Sequence, residues 1–308
     1  MRIAIIGAGA VGGWFGGRLV ETGHDVVFVA RGQTLTALQD TGITLNDAPP
    51  IPVAAVPALS EAGEVDVVLL AIKVTAETDL PGILAGLGEE VPVAVTQNSV
   101  EVPRLVADVV GEARTWPGVV RGYFHHTGPA AVEFHGGPIS YTWGTWDGST
   151  DPRVAELGVA LTAAGVDAVI RDDIFVDVWA KAMFVVSTGA LGALTGEPLG
   201  QLRTRYRDSL AAMMAEIHDT ALAHGVPLPP AAVADTLAFA DRMPPEATSS
   251  MHRDLTSGAP AGETELDAQV GAVCRMGRAA GVDTRLHDLL LAVLARRWHG
   301  GRGLTTLG

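Results

Sequence analysis

Gly7, Gly9 and Gly12 stand at G-x-G-x-x-G spacing, directly after an apolar run at residues 2–6 and just ahead of a helical stretch at 11–19. The first glycine allows a tight strand-to-helix turn. The second removes a side chain where a pyrophosphate must approach, and the third lets helix pack on strand. Free N–H groups and the positive dipole end of the helix then face the phosphates. Gly7, Ala8, Gly9, Ala10, Val11 and Gly12 are thus the expected cofactor-binding loop. The next apolar run, 24–30, ends in Arg31 and not in an acid. A carboxylate there would accept from an adenosine 2′-hydroxyl, whereas an arginine fork suits a 2′-phosphate. The cofactor implied is NADP(H); the plainer reading of Arg31 is a solvated surface residue.

Lys181 is the second residue with chemical promise. It interrupts the stretch 174–194, which Val, Ala, Phe and Met dominate. Burial among such neighbours disfavours the ammonium and lowers the lysine's pKa. A ketone that receives hydride becomes an alkoxide, which needs a positive charge or a proton donor within hydrogen-bond reach. A desolvated lysine supplies both. The alternative is a lysine whose stem lies on the core while its head reaches water.

The elements that must position these groups divide the chain in two. Uninterrupted Val/Ile/Leu runs at 65–72 and 91–96 read as parallel strands covered on both faces. Helices are expected at 35–40, 80–88 and 157–165, and a last short strand at 168–170. The region 119–146 has short alternating runs, which predict antiparallel strands finishing the sheet. From Ile174 onward the periodicity is helical, broken at 225–230, 243–245 and 257–262. The fold class is α/β: an N-terminal Rossmann-type doubly wound sheet over 1–172 and a C-terminal all-helical domain over 173–308.

Composition narrows the partners. A net charge of −14 argues against nucleic acid and anionic membrane. The single cysteine, Cys274, excludes an internal disulfide and suits a reducing cytoplasm; it reads as a buried helix residue. Six glycines break the first apolar stretch before Arg18, so that stretch is not expected to act as a signal peptide. The uncharged run 182–196 falls short of the ~20 residues that span a bilayer. The nine histidines show no metal-ligand spacing, so no metal is expected. His126 and Thr127 are outside candidates for touching substrate, and the tryptophans read as core.

Further along, the order of motifs becomes specific. Ala30-Arg31-Gly32 is followed by Leu35-x-x-Leu38 and Gly42-Ile-x-Leu45, Lys73 follows one buried strand, and Gln97-Asn98 follows the next. Trp179-Ala-Lys181, Ser249-Ser-Met251 and Thr264-Glu-Leu-Asp267 come later. Together they resemble the ketopantoate reductase (2-dehydropantoate 2-reductase) family over almost the whole chain. The resemblance implies reduction of a 2-oxo acid with NADPH. It implies that Lys73 and Asn98 line the cofactor side, that Lys181 is catalytic, that Ser250, with Ser249 beside it, holds substrate, and that Glu265 contacts cofactor. Glu263 is an outside candidate for that last role.

The departures matter as much. The family usually carries asparagines one and two helical turns past its lysine, where this chain has Val185 and Gly189, and another three residues before Ser250, where it has Ala247. Ser99 and Ala76 replace a glycine and a glutamine. At about 1–1.5 kcal/mol per lost hydrogen bond, three missing amides remove about 3–4 kcal/mol. Val185, Gly189 and Ala247 predict a wider, less polar substrate site, with Asn98, Val185, Gly189, Ser249 and Ser250 as its lining. The expected function is an NADPH-dependent ketone reductase, a divergent member acting on a small-molecule carbonyl compound other than ketopantoate. A homodimer is the candidate assembly. The rival readings are an imine or opine-type reductase and a non-catalytic NADPH-binding sensor.

Overall fold

The uninterrupted apolar runs of the N-terminal half assemble as parallel strands. In the computed structural model, which describes residues 1–259 and 263–299, the strands are β1 (Arg2–Ile6), β2 (Asp25–Val29), β3 (Thr44–Leu45), β4 (Ala54–Val56), β5 (Val67–Leu70), β6 (Val93–Val95), β7 (Thr115–Trp116), β8 (Gly118–Arg121), β9 (Phe124–Gly128), β10 (Ala131–Phe134), β11 (Ser140–Trp143) and β12 (Asp167–Ile170). Six form one all-parallel sheet in the order β4-β2-β1-β5-β6-β7. Chain order therefore reverses between β1 and β5, the switch point at which doubly wound sheets bind dinucleotides. Every residue of β5 is buried, as two covered faces require.

The helices are α1 (Ala10–Glu21), α2 (Gly32–Asp40), α3 (Leu80–Ile83), α4 (Val102–Val110), α5 (Pro152–Ala163), α6 (Ile174–Thr195), α7 (Leu199–Leu202), α8 (Arg207–Ala223), α9 (Ala232–Arg242), α10 (Ser250–Thr256), α11 (Ala272–Ala280) and α12 (Arg285–His299), with a π-helical turn at Asp267–Gly271 leading into α11. No strand occurs among the described residues after β12. The interruption expected at 257–262 is partly visible; residues 260–262 lie outside the described residues.

Three expectations need correction. The region 119–146 does form strands, but they do not finish the parallel sheet. They build two three-stranded sheets, β3-β10-β9 and β12-β11-β8. Pro117, between β7 and β8, has no N–H to continue a ladder, so the chain leaves the main sheet there. Tyr141 links β11 back to it, donating its hydroxyl to the Val95 carbonyl at 2.9 Å. The helix expected over 80–88 stops at Ile83, with Leu84 as its C-cap, and the chain then turns through Gly86 at a φ of +85°. Finally, α6 runs for 22 residues and reaches the length and apolarity of a membrane span, with 61% of its most apolar stretch buried within the protein.

The chain divides into two units. The first comprises Met1–Ile72, Asp79–Gln97 and Val102–Asp177. The second takes in the chain from Val178 onward together with two excursions, Lys73–Thr78 and Asn98–Glu101. Trp14, Trp116 and Trp143 fill the first core; Trp179 is buried in the second. In the second unit Glu216 of α8 caps the start of α12, accepting from the Leu286 and His287 amides at 2.9 and 3.2 Å and meeting His287 Nδ1 at 2.6 Å. Cys274 is buried in α11, and burial pushes its thiol up to about 12.

Candidate functional site

The glycine loop of the first unit has the geometry its spacing requires. Gly7 sits at φ +97°, closed to side chains, and a Cβ there would lie 2.7 Å from Ile72 Cγ2. A Cβ on Gly12 would come within 2.0 Å of the Gly7 carbonyl oxygen and 2.8 Å of Ala71 Cβ. Gly9 differs: nothing stands within 4 Å of where its Cβ would be. It is the N-cap of α1 and offers no side-chain cap, so the first amides of α1 are left for a ligand. Ala8, Ala10 and Val11 complete the loop without a polar side chain. Open space at the middle glycine, close packing at the other two and a helix N-terminus fit a dinucleotide pyrophosphate. Arg31, one residue past the buried Ala30 at the end of β2, is exposed and N-caps α2 with extended backbone. This is the end of the second strand, from which doubly wound dinucleotide folds contact the ribose.

Gln97 braces the neighbouring strand end. Its buried amide donates to the Leu70 and Ile72 carbonyls, each at 2.9 Å, and Thr96 Oγ1 donates to Leu70 at 2.8 Å. These bonds fix the chain beyond β5, against which Gly7 packs. His126 and Thr127 are exposed on β9.

Lysine and carboxylate side chains gather in the second unit. Lys181 projects from α6, half-buried, and its Nζ donates to Asn98 Oδ1 at 2.5 Å. The apolar sheath expected around this lysine is therefore incomplete; an amide receives its head. Lys73 pairs with Asp254 of α10 at 2.7 Å. Glu265 is buried, and burial raises its carboxyl pKa, opposed by the positive charges of Lys73 and Lys181 and reinforced by Asp254. Two lysines and two carboxylates thus share one electrostatic neighbourhood. Glu263, by contrast, is exposed, which separates it from the buried Glu265.

The face of α6 carrying Lys181, Val185 and Gly189 meets the loop that enters α10. A Cβ on Gly189 would lie 2.6 Å from Met251 Cε and 2.9 Å from Ser249 Oγ, and one on Gly192 would lie 2.6 Å from His252 Nδ1. The expected widening at Gly189 is thereby corrected: Met251 and Ser249 occupy the space an asparagine would need. The glycine marks close packing against Met251, which is itself buried. Val185 stays half-buried. Ala247 supports the fold through its backbone, its carbonyl accepting from Leu199 N at 3.0 Å. Ser249 N-caps α10, its Oγ accepting from His252 N at 3.1 Å, and Ser250 is the first residue of that helix. Gln97 entered the sequence reading only as a motif member, and Asp254 not at all. A pair 181 residues apart leaves no periodicity to detect.

The family model "Ketopantoate reductase PanE/ApbA" matches residues 3–148, and "Ketopantoate reductase PanE/ApbA C terminal" matches 173–297. A 2-dehydropantoate 2-reductase of Mesorhizobium japonicum is 30% identical over 96% of this chain and 97% of its own. The crystal structure of 2-dehydropantoate 2-reductase from Methylococcus capsulatus superposes with a TM-score of 0.88 at 25% identity, covering 99% of each chain. D-mandelate dehydrogenase, solved with NADH and anilino(oxo)acetate, has the same fold at a TM-score of 0.85 and 21% identity, over 97% of this chain and 98% of its own. The chain belongs to the ketopantoate reductase family and is a pyridine-nucleotide oxidoreductase.

Proposed function

We propose, from membership of that family, that the protein is an NADPH-dependent reductase of a ketone, a 2-oxo acid or related carbonyl compound other than ketopantoate. The observation that carries this reading is the hydrogen bond from Lys181 Nζ to Asn98 Oδ1 beside the buried Glu265. It supports the reading of Lys181 as an oriented ammonium able to meet a developing alkoxide. Bound nicotinamide would supply the hydride. The glycine loop would hold the pyrophosphate and Arg31 the 2′-phosphate. Lys73, Asn98 and Glu265 would act on the cofactor side, and Ser249 and Ser250 would orient the substrate with Asn98.

Lys181 would donate its proton to the carbonyl oxygen as negative charge develops there, and Asn98 would fix the amine's direction while it does so. Val185 and Gly189 stand where the family usually carries amides, and Met251, packed over Gly189, is itself buried. This supports a substrate with an apolar group beside its carbonyl. A homodimer in the cytoplasm is the assembly and location we assign.

Fluorescence titration tests the cofactor half of the reading. NADPH should bind at least roughly tenfold more tightly than NADH. Arg31→Ala should cost about 1.5–3 kcal/mol of NADPH affinity, the range for a hydrogen bond to a charged group, and leave NADH almost unchanged. Equal wild-type affinities would remove Arg31 from the 2′-phosphate.

A further inference from the structure

Arg275 of α11 reaches two other segments of the second unit at once. Its Nε donates to both carboxylate oxygens of Glu101 at 3.1 Å, and its Nη2 donates to Glu101 Oε2 at 2.6 Å. On the other side Nη1 donates to Asp267 Oδ1 at 2.8 Å, and Nη2 also reaches the Asp267 carbonyl at 3.2 Å. Glu101 follows Asn98 by three residues within one excursion, and Asp267 follows Glu265 by two. One planar guanidinium therefore ties the segment bearing Asn98 to the segment bearing Glu265.

Gly271 belongs to the same device. It lies in the π-helical turn, and a Cβ there would meet Asp267 Oδ1 at 2.6 Å and Arg275 Nη1 at 3.0 Å. The missing side chain leaves the opening across which Arg275 and Asp267 join. Helical π turns occur often at functional sites. The Arg275 side chain is 41% exposed, so the cluster adds little to global stability. What five donor contacts from a rigid fork supply is direction.

We propose that Arg275 is a positioning residue that holds Asn98 and Glu265 in register for the cofactor, with Gly271 as the opening that permits its pairing. This rests on the proposed cofactor roles of Asn98 and Glu265. Arg275 acts through Glu101 and Asp267, which it pairs with directly and whose chain segments carry Asn98 and Glu265.

The experiment is NADPH fluorescence titration of the full chain, with a thermal melt of every variant. Arg275→Ala should weaken NADPH binding roughly tenfold, mid-range for residues coupled in one network. In the background Asn98→Ala with Glu265→Gln, the same change should alter affinity less than about twofold, because the groups it acts through are gone. Arg275→Lys should restore part of the loss, since an ammonium still meets Glu101 but without the fork. Gly271→Ala should weaken binding in the same direction, and both of these milder variants carry the test if Arg275→Ala fails to fold. An unchanged affinity in Arg275→Ala, or a loss that multiplies undiminished in the double background, would overturn the proposal. Wild-type protein that ignores NADPH would instead overturn the functional reading. Tight wild-type binding that survives Asn98→Ala with Glu265→Gln would leave that reading standing and remove the proposal.

Discussion

At the scale of single residues, Lys181 shows what the sequence carried and what it did not. Its place in an apolar helix and its motif were both legible. Its partner was not, because Asn98 lies 83 residues away. The same holds for Lys73 with Asp254 and Arg275 with Glu101, whose long-range pairings no local pattern announces. Lys181→Ala should lower kcat by roughly 10²–10⁴, the range for a positioned acid, with NADPH affinity held within a few-fold. Turnover above about half of wild type, with chemistry rate-limiting, would make Lys181 a packing residue. Glu265 allows a test by pH. Its folded-state carboxyl pKa is raised, chiefly by burial, so the folded state binds its proton more tightly than the unfolded chain does. Stability should therefore fall as pH rises from the ordinary carboxylate range through the raised value. Glu265→Gln should flatten that slope and raise the melting temperature at neutral pH. An unchanged pH–melting profile would mean that the carboxylate is fully compensated where it stands.

At the scale of elements, the loop between β1 and α1 separates folding from binding. Gly12→Ala would drive a methyl into the Gly7 carbonyl at 2.0 Å, and overpacking of this kind costs about 1–3 kcal/mol. Gly9→Ala meets nothing within 4 Å, so its stability should stay within about 1 kcal/mol of wild type, the scale of an N-cap change. Yet Gly9→Ala should weaken NADPH by roughly tenfold or more, because the methyl stands where the pyrophosphate approaches. Melts and titrations of the two variants check both halves; equal behaviour would refute the cradle. The main strands and long helices were readable because both-face burial and helical periodicity leave strong patterns. The two-residue β3 and three-residue β4 were not, being too short to alternate. Gly189 misled for a different reason: a helical glycine announces absent side-chain volume but not that Met251 fills it.

At the scale of the whole molecule, the sequence revealed an α/β half and a helical half. It did not reveal that Lys73–Thr78 and Asn98–Glu101 would group with the helical unit. Asp254 and Arg275, which lie far along the chain, pair with Lys73 and Glu101 of those two excursions. With a net charge of −14, the protein repels anions at long range, so an anionic cofactor must be held by the few cations placed to meet it. Linkage makes that binding visible globally: at a hundredfold excess over its Kd, NADPH should stabilise the fold by about 2.7 kcal/mol, and NADH at equal concentration by clearly less. The most direct test of the central claim is NADPH oxidation by purified protein across 2-oxo acids, other ketones, ketopantoate, and ketones paired with amines. Oxidation with a ketone alone, lost in Lys181→Ala, and a ketopantoate kcat/KM below ~10⁴ M⁻¹s⁻¹, the lower end of ordinary enzyme efficiency, are the results expected. Turnover only when an amine is present, or none with any carbonyl compound, would contradict it.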